Sequence, residues 1–451
     1  MERSKEIDLG ALIEMQPRSA FSVAVLVWSC VLMLVEGYDM QVMAYAAPVI
    51  IVDWHIDDRA VLGPVFGAGL FGYMLGATIL SHLADRFGRK RVILAGFWLF
   101  GLFTVAAAFA DAAPAYVNRF TALLVLRFIA GLGLGGSIPT AIALNVEYAP
   151  AKQRATRIAL MFLGYTLGAA GGGVLVAALL PRYGWPVTFL IGGLAPLALS
   201  AVLWRTLPES PRFLALQDAS SLRLAAIAAK LRPDLVLPDH PRFRLREAQK
   251  AGLPLAHLFR EGRAPLTLLL WAAFVTSFLG HHFLTSWLPT VLASDGMPLG
   301  DAVLAAALFQ GGGAFGSVFI GRLVDRRGIP AVAAIFAVAA PLVALIGVPT
   351  LSEAVLMGTV FVAGLFVLGG QFGLNALAGT CYPTFIRSTG AGWALGIGRI
   401  GSILGPVIGG VLIGLGLPTW VLLLCAAIPF IACAGATLRL GFTMEDFTGR
   451  Q

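Results

Sequence analysis

The sequence predicts an all-α membrane protein with twelve transmembrane helices, arranged as two pseudo-symmetric bundles of six. First, 58% of the 451 residues are hydrophobic and only 12% are charged, whereas a soluble domain carries about 25% charged residues. Second, the chain contains twelve apolar stretches of the length that crosses a bilayer, about 20 residues. Third, one long polar stretch, 207–263, interrupts this pattern near the middle of the chain.

The twelve stretches fall into two groups of six, on either side of that interruption. They are 21–50, 61–83, 90–111, 120–146, 157–180, 186–206, 264–289, 301–321, 329–349, 353–379, 391–415 and 418–439. We therefore predict an N-terminal segment (1–20), a first bundle (21–206), a connector with short surface helices (207–263), a second bundle (264–439) and a tail (440–451).

The basic residues that give the net charge of +8 are placed along the chain as a membrane topology predicts. If the N-terminus lies inside, 27 of the 32 Lys and Arg residues fall in cytoplasmic segments. Three face outward (Arg59, Arg119 and Arg182), and two lie within helices (Arg127 and Arg399). This positive-inside bias predicts a multi-pass protein of a bacterial inner membrane with both termini in the cytoplasm. The excess of basic residues therefore indicates how the chain is oriented in a lipid bilayer, and it does not indicate nucleic-acid binding.

The N-terminus and the cysteines add no processing or metal signal. The first twenty residues contain acids and lack an apolar run before a small-residue cleavage site, so we expect no signal peptide. Four cysteines have neither metal-ligand spacing nor a pair in an outer loop, and we interpret them as packing residues: Cys30, Cys381, Cys425 and Cys433. We predict no metal and no cofactor other than a coupling ion.

Glycine motifs inside the apolar stretches could be mistaken for a nucleotide site. The segments 131–136 and 396–401 both satisfy G-x-G-x-x-G. A dinucleotide fingerprint requires a strand before the glycines and a helix after them. Since both segments lie within long apolar helices, they indicate close helix packing instead.

Two internal repeats relate the first half of the chain to the second. A shift of 240 residues matches five positions: Gly72 with Gly312, Gly76 with Gly316, Asp85 with Asp325, Arg86 with Arg326 and Gly88 with Gly328. A shift of 233 matches "AGL" at 130–132 with 363–365, Pro150 with Pro383 and Arg154 with Arg387. Such repeats predict two halves in parallel orientation with a substrate path between them.

Several motifs resemble a known family. The segment "GYMLGATILSHLADRFGRKR" at 72–91 resembles the signature loop of the major facilitator superfamily. Its degenerate copy at 312–328 and "LPESPRFL" at 207–214, which sugar porters share, fit the same superfamily. The segments "EGYDMQ" at 36–41, "RFIAGLGLGGSIPTAIAL" at 127–144, "FLTSWLPTVL" at 283–292 and 369–406 resemble the aromatic acid:proton symporter family. The resemblance spans essentially the whole transmembrane region.

The resemblance implies the major facilitator fold, and import of a small aromatic carboxylate with protons by alternating access. Two departures bear on the ligand. Glu36 stands where the family's first-helix motif often begins with Asp, and His281 and His282 stand where an Asn or an aromatic residue is common.

Two acidic residues in the first apolar stretch are candidates for proton coupling. Glu36 and Asp39 are three residues apart, so both carboxylates lie on one face of a helix. A charge at the bilayer centre costs roughly 2.5–3.5 kcal/mol on insertion scales and therefore needs a partner or a use. The alternative is a structural ion pair with a neighbouring helix, for instance with Arg127.

The two arginines within helices are candidates for binding the carboxylate, because a guanidinium stays charged and its planar fork matches a carboxylate. We favour Arg399 as the anion anchor. Arg127 could contact substrate or pair with Asp39 in its absence.

Further substrate-binding candidates are polar or aromatic side chains in the apolar stretches. The amides could bind ring hydroxyls or tie helices together, and the histidines could titrate or form an interhelical hydrogen bond. The aromatic residues could stack on a ring or simply fill the bundle. The candidates are Gln310, Gln371, Asn375, His281, His282, Tyr38, Phe283, Trp287 and Trp393.

The charges of the signature loop and its surroundings are candidates for gating. In the resembled family such charges form a latch that is made when the cavity opens outward and broken when it opens inward. The residues concerned are Asp85, Arg86, Arg89, Lys90, Glu147 and Arg154, with Asp325 and Arg326 in the second half.

Other functions remain open at this stage. A sugar or polyol porter, or a carrier of another organic acid, shares many of these features, and a proton-driven drug exporter would use similar acids. Cationic drugs would fit poorly beside two intramembrane arginines. A membrane enzyme or sensor would need a nucleophile–base pair, a metal cluster or a signalling domain, none of which the sequence indicates. We expect a monomer, because the path lies within one chain.

Overall fold

The computed structural model of the chain describes residues 6–17, 19–112, 117–235, 238, 241–244, 257–378, 381–382 and 386–448. Within the helices, it does not describe the side chains of residues 81, 155, 318, 321, 322, 325, 387, 388 and 445–448.

Twelve long helices dominate the described residues, as the sequence predicts. The first six are α1 (Ala20–Asp53), α2 (Leu62–Phe87), α3 (Arg89–Ala107), α4 (Arg119–Glu147), α5 (Arg154–Tyr183) and α6 (Pro186–Thr206). The second six are α7 (Ala264–Ser294), α8 (Leu299–Arg327), α9 (Ile329–Ile346), α10 (Glu353–Ala378), α11 (Arg387–Gly414) and α12 (Thr419–Thr448). Eleven of these, all except α8, contain a described stretch long and apolar enough to cross a membrane.

Several helices are longer than the apolar stretches that predict them. Helix α7 ends at Ser294, α8 spans Leu299–Arg327 and α12 ends at Thr448, whereas the apolar stretches end at 289, 321 and 439. The extra turns contain charged and polar residues. Backbone hydrogen bonds continue beyond the hydrocarbon region, so hydropathy marks the apolar part of a helix and not its ends.

The helix pairing in the first half recurs in the second. Helix α2 packs on α4, α1 on α5 and α3 on α6. The same pairs occur six helices later, between α8 and α10, α7 and α11, and α9 and α12. The halves meet through α5 with α8, α2 with α11 and α1 with α7.

Glycines explain why these pairs can pack so closely. A Cβ atom added to Gly72 of α2 would overlap the carbonyl oxygen of Phe128 in α4, and one added to Gly312 of α8 would overlap that of Phe361 in α10. The two glycines are 240 residues apart and the two phenylalanines 233 apart, the two offsets at which the sequence repeats. The repeated glycines therefore make the same contact in both halves.

Two ends of the bundle can be distinguished. We call the end with the α2–α3 turn the basic face, and the end where α1 terminates the far face. At the far face, residues of both halves form one apolar cluster that includes Val65, Trp287, Val291 and Ile413. There Arg59 also donates a hydrogen bond to Ser294 Oγ at 2.5 Å. The halves are thus held together at the far face.

The N-terminal segment and the connector contain two short strands that the sequence does not predict, beside the short helices that it predicts for the connector. Strand β1 (Glu6–Asp8) pairs in parallel with strand β2 (Arg242–Arg244). Short helices span Leu9–Glu14, Pro211–Gln217 and Leu222–Leu231. Their apolar residues join the core of the first half, so the described part of the connector is docked on that half. Strands of three residues leave too short a pattern to detect.

The close glycine contact makes a testable prediction about stability. Gly72→Ala places a methyl group against backbone that cannot rotate away, and overpacking typically costs about 1–3 kcal/mol. We expect a lower melting temperature of the detergent-purified protein. Gly358→Ala, where a Cβ atom would meet nothing within 4 Å, is the matched control. Equal melting temperatures for the two variants would contradict the contact.

Candidate functional site

A buried ion pair lies near the middle of α1 and α4. Arg127 donates hydrogen bonds to both carboxylate oxygens of Asp39, to Oδ1 at 2.9 Å and to Oδ2 at 3.2 Å. The hydroxyl of Thr104 in α3 lies 3.5 Å from Asp39 Oδ1. Relative exposure is 2% for Asp39 and 7% for Arg127. The sequence leaves open whether these two residues pair, and the structure brings them together.

The geometry explains how two charges are tolerated at this depth. A bidentate arginine–carboxylate pair combines opposite charges with two directed hydrogen bonds. Removing either partner would leave the other charge buried without compensation, which is strongly unfavourable. The pair is therefore a unit, and neither charge can change without affecting its partner.

The ion pair faces a central cavity between the two halves. Helices α1, α2, α4 and α5 supply one wall and α7 the other. From the first half the lining residues are Asp39, Met40, Gln41, Met43, Phe66, Gly69, Leu70, Arg127, Gly131, Leu134 and Tyr165. From the second half they are His281, His282, Thr285 and Ser286. The cavity thus combines a charged wall with a neutral polar wall.

The α7 wall retains hydrogen-bonding capacity. His281 is buried, and its Nδ1 has no hydrogen-bond partner. The ring centroids of His281 and His282 are 4.8 Å apart, and Nδ1 of His282 is 3.1 Å from the Phe278 carbonyl oxygen. The Thr285 hydroxyl makes only a long contact of 3.4 Å with the His282 carbonyl oxygen. This wall can bind hydroxyl or carbonyl groups of a ligand.

A second charged cluster joins the halves beside the cavity. The Arg399 guanidinium of α11 lies over the Tyr73 ring of α2 at 4.6 Å and near the Phe278 ring at 5.7 Å. Glu36 lies beside the Tyr73 side chain and is close enough to Arg399 to be attracted electrostatically. Neither Glu36 nor Arg399 is among the residues that line the cavity. The sequence-based preference for Arg399 as the anion anchor thus differs from the geometry, which exposes Arg127 to the cavity.

The three amide candidates are buried or half-buried in the second half, but none of them lines the central cavity. Gln371 Oε1 accepts a hydrogen bond from Ser277 at 2.6 Å. Asn375 is half-buried with an unpartnered Oδ1. Gln310 is 1% exposed, and neither polar atom of its side chain has a partner.

The aromatic candidates pack within the protein. Tyr38 donates to the Thr188 carbonyl oxygen at 2.9 Å. Trp287 donates to the Pro406 carbonyl oxygen at 2.8 Å and contributes to the far-face cluster. Trp393 is 42% exposed and stacks on Trp271. Phe283 is buried in the core of the second half. None of the four lines the cavity.

The gating candidates of the first half form a network at the basic face. Arg89 pairs with Asp85 at 2.9 Å and with Glu147 at 3.2 Å, and Glu147 also accepts from Ser210. Glu209 of the connector accepts from the backbone amides of Arg89 at 2.8 Å and Lys90 at 3.1 Å. The motif at 207–214 thus anchors the connector to the α2–α3 turn.

The remaining gating candidates are peripheral. Arg86 and Arg326 are exposed, and Arg154 donates to the Ala149 carbonyl oxygen at 3.3 Å. The side chain of Asp325 lies outside the described residues.

Sequence reasoning missed several groups around the site: Thr104 and Tyr165 in the first half, Tyr73 beside Glu36, and Thr285 and Ser286 in α7. The adjacent Thr285 and Ser286 interrupt an apolar stretch and could have been noticed. Tyr73 and Tyr165 look like ordinary aromatic packing residues in the sequence, and only the helix arrangement brings them to the site.

Comparison with known proteins agrees with this architecture. A sequence model of the Major Facilitator Superfamily matches residues 29–395. The chain is 38% identical over 437 residues to a gallate transporter of Pseudomonas putida, covering 96% of this chain and 95% of the relative. It is 37% identical over 448 residues to the 4-hydroxybenzoate transporter PcaK of Pseudomonas aeruginosa, covering 99% and 98%. The inward-open xylose transporter XylE of E. coli matches with a TM-score of 0.69 at 16% identity, covering 93% and 96%.

The chain is therefore a membrane transporter and not an enzyme, and it belongs to the major facilitator superfamily. Within that superfamily it is a relative of transporters named for aromatic acids, which confirms the resemblance of its motifs.

The buried pair makes a prediction about stability. Asp39→Asn leaves the Arg127 charge uncompensated, and breaking a buried pair costs about 3–5 kcal/mol. We expect a marked fall in melting temperature for Asp39→Asn and for Arg127→Gln, and a smaller fall for the double variant. A double-mutant cycle in detergent measures this coupling. Effects that add without coupling would contradict the pair.

Proposed function

We propose that the chain imports an aromatic carboxylic acid of the hydroxybenzoate type by proton symport and alternating access across a bacterial inner membrane. The proposal rests on one observation, a central cavity with the Asp39–Arg127 pair on one wall and neutral hydrogen-bonding groups on the other. The names of the two relatives support the substrate class.

Coupling follows from the charge of the pair. With the cavity empty, ionised Asp39 neutralises Arg127. When a proton binds Asp39, the guanidinium is free to take the carboxylate of the substrate. The empty site and the fully loaded site then both have zero net charge. The half-loaded states carry one uncompensated charge, which costs roughly 2.5–3.5 kcal/mol or more at this depth. Proton and substrate therefore bind and leave together.

This scheme also fixes the expected stoichiometry. One proton with one monoanion moves no net charge, so the pH gradient alone drives uptake. A second proton, with Glu36 as its acceptor, would make transport respond to voltage as well, by about 2.3 kcal/mol per charge per 100 mV.

Arg127 is the anion anchor in this proposal, and Arg399 has a different task. Arg399 is attracted to Glu36 across the two halves, so it can respond when the halves move. The α7 wall, with His281, Thr285 and Ser286, receives the ring hydroxyls. Gln310, whose buried amide is unpartnered, is a further candidate once the halves close around substrate.

The conformation has its halves joined at the far face. The positive-inside rule assigns the basic face to the cytoplasm, together with both termini. We infer an inward-facing state from the far-face contacts, although the rings of Phe162 in α5 and Phe372 in α10 also meet nearer the basic face. The network of Asp85, Arg89 and Glu147 at the basic face is proposed to bias the exchange between states, and the functional unit to be the monomer.

Uptake into proteoliposomes tests the coupling. With the inside alkaline, we expect the wild type to accumulate radiolabelled 4-hydroxybenzoate. Asp39→Asn imitates the protonated carboxyl, so substrate exchange should continue while gradient-driven accumulation falls to the level of empty liposomes. Asp53→Asn, an exposed position on the same helix, is the matched control. Accumulation by Asp39→Asn at the wild-type level would refute the coupling scheme.

The polar wall predicts the order of substrates. Gallate and 4-hydroxybenzoate should compete for uptake more strongly than benzoate, which has no ring hydroxyl. A hydrogen bond contributes about 0.5–1.5 kcal/mol, so His281→Phe should reduce the preference about three- to tenfold while benzoate transport persists. Xylose and glucose serve as competitors for the sugar-porter alternative. Competition by these sugars but not by the acids would overturn the proposed substrate class.

A further inference from the structure

A large open groove lies away from the central cavity, on the outer side of the first half at the basic face. Helices α3 and α6 form its floor, and the connector helices Pro211–Gln217 and Leu222–Leu231 form its upper edge. It is neither between the two halves nor part of the transport path.

The upper part of the groove is strongly cationic. Five basic residues line it: Lys90, Arg91, Arg205, Arg223 and Lys230. Lys90 and Arg223 are close enough to repel one another electrostatically. The only acidic residue in the lining is Glu209, whose Oε1 already accepts hydrogen bonds from three backbone amides. Five cations gathered from two transmembrane helices and the connector thus share one carboxylate, Glu209, which attracts Lys90, and the lining keeps a net positive charge.

The lower part of the groove is apolar. Trp98 and Leu102 of α3 line it with exposures of 49% and 56%, and Trp204 of α6, which is 67% exposed, lies above them at the level of Arg205. At 1.5 Å per residue, Leu102 lies about 18 Å along the helix from Lys90. That distance exceeds half of the hydrocarbon core, about 15 Å. The groove thus leads from the membrane surface, where headgroups lie, into the region of the acyl chains.

We propose that this groove binds an anionic phospholipid, with its phosphate among the five basic residues, its glycerol region beside Trp204 and its acyl chains along Trp98 and Leu102. Basic pockets next to transmembrane helices are suited to such headgroups, and each Lys or Arg near the surface contributes about 1 kcal/mol to attraction of anionic lipid. A free phosphate could use the cationic part but would leave the exposed apolar part unfilled. The lipid would bridge α3 and α6 to the connector, and so hold the connector on the first half.

Fluorescence quenching tests the site on the delipidated full-length protein in detergent. We would titrate phosphatidylglycerol with brominated acyl chains, since bromine quenches a tryptophan that it contacts. Brominated phosphatidylcholine and inorganic phosphate are the parallel titrations. We expect saturable quenching by phosphatidylglycerol at low lipid, which disappears in Trp98→Phe/Trp204→Phe, and weaker binding in 0.5 M salt because screening reduces headgroup attraction.

A charge variant and a matched control complete the test. Arg91→Gln/Arg205→Gln/Arg223→Gln should weaken phosphatidylglycerol binding at least about tenfold. Lys152→Gln/Arg327→Gln/Arg439→Gln removes the same charge from exposed positions outside the groove and should bind as the wild type. If the charge variant fails to fold, the salt dependence and the lipid comparison in the wild type still decide.

Three results would overturn the proposal. Equal quenching by phosphatidylcholine would indicate ordinary bilayer contact. Displacement of the lipid by millimolar phosphate would indicate a site for a free anion, particularly if phosphate alone raises the melting temperature as much as phosphatidylglycerol does. An equal loss of phosphatidylglycerol binding in the two charge variants would mean that the total charge of the protein, and not the groove, attracts the lipid. None of these outcomes depends on the transported substrate, so they leave the proposed function untouched.

Discussion

The pairing of Asp39 with Arg127 is the constraint on which the centre of this protein depends. Two full charges lie in the middle of a bundle made of apolar helices, and each is tolerated only because the other is present. Because the pair is bidentate, it also fixes α1 relative to α4, the helix that packs on α2 and α3. A change in protonation at Asp39 therefore changes both the charge of the cavity and the contacts between the helices that form it.

The surrounding fold makes different kinds of contact within each half and between the halves. Within each half, glycines such as Gly72 and Gly312 let helix backbones touch, which makes each half a stiff unit. Between the halves, the far face is joined by side chains such as Trp287 and Ile413 and by the Arg59–Ser294 hydrogen bond. Separating the far-face contacts moves side chains apart, whereas separating the glycine-packed helices would open close backbone contacts within a half. The difference favours rigid-body motion of the halves over deformation within them.

The sequence predicts the twelve helices well because each apolar stretch must satisfy its backbone hydrogen bonds internally in lipid. It also predicts the repeat, since Gly72 and Gly312 leave a recognisable pattern. It does not predict which arginine faces the cavity. Arg127 and Arg399 look alike in the sequence, and only the rotation of each helix about its axis separates them. For the same reason the sequence does not separate Trp287, which packs at the far face, from residues that face the cavity, and it does not single out Tyr73 and Tyr165.

The two walls of the cavity differ in a way that bears on transport. All the charge lies on the first half, in Asp39 and Arg127, and α7 of the second half offers only neutral donors and acceptors such as His281 and Ser286. A ligand with a carboxylate at one end and hydroxyl groups at the other would satisfy both walls at once. Neither half alone can do so, because each binds a different end. Such a ligand therefore gains its full binding energy only when the halves approach one another, and this requirement links recognition of the substrate to closure of the cavity.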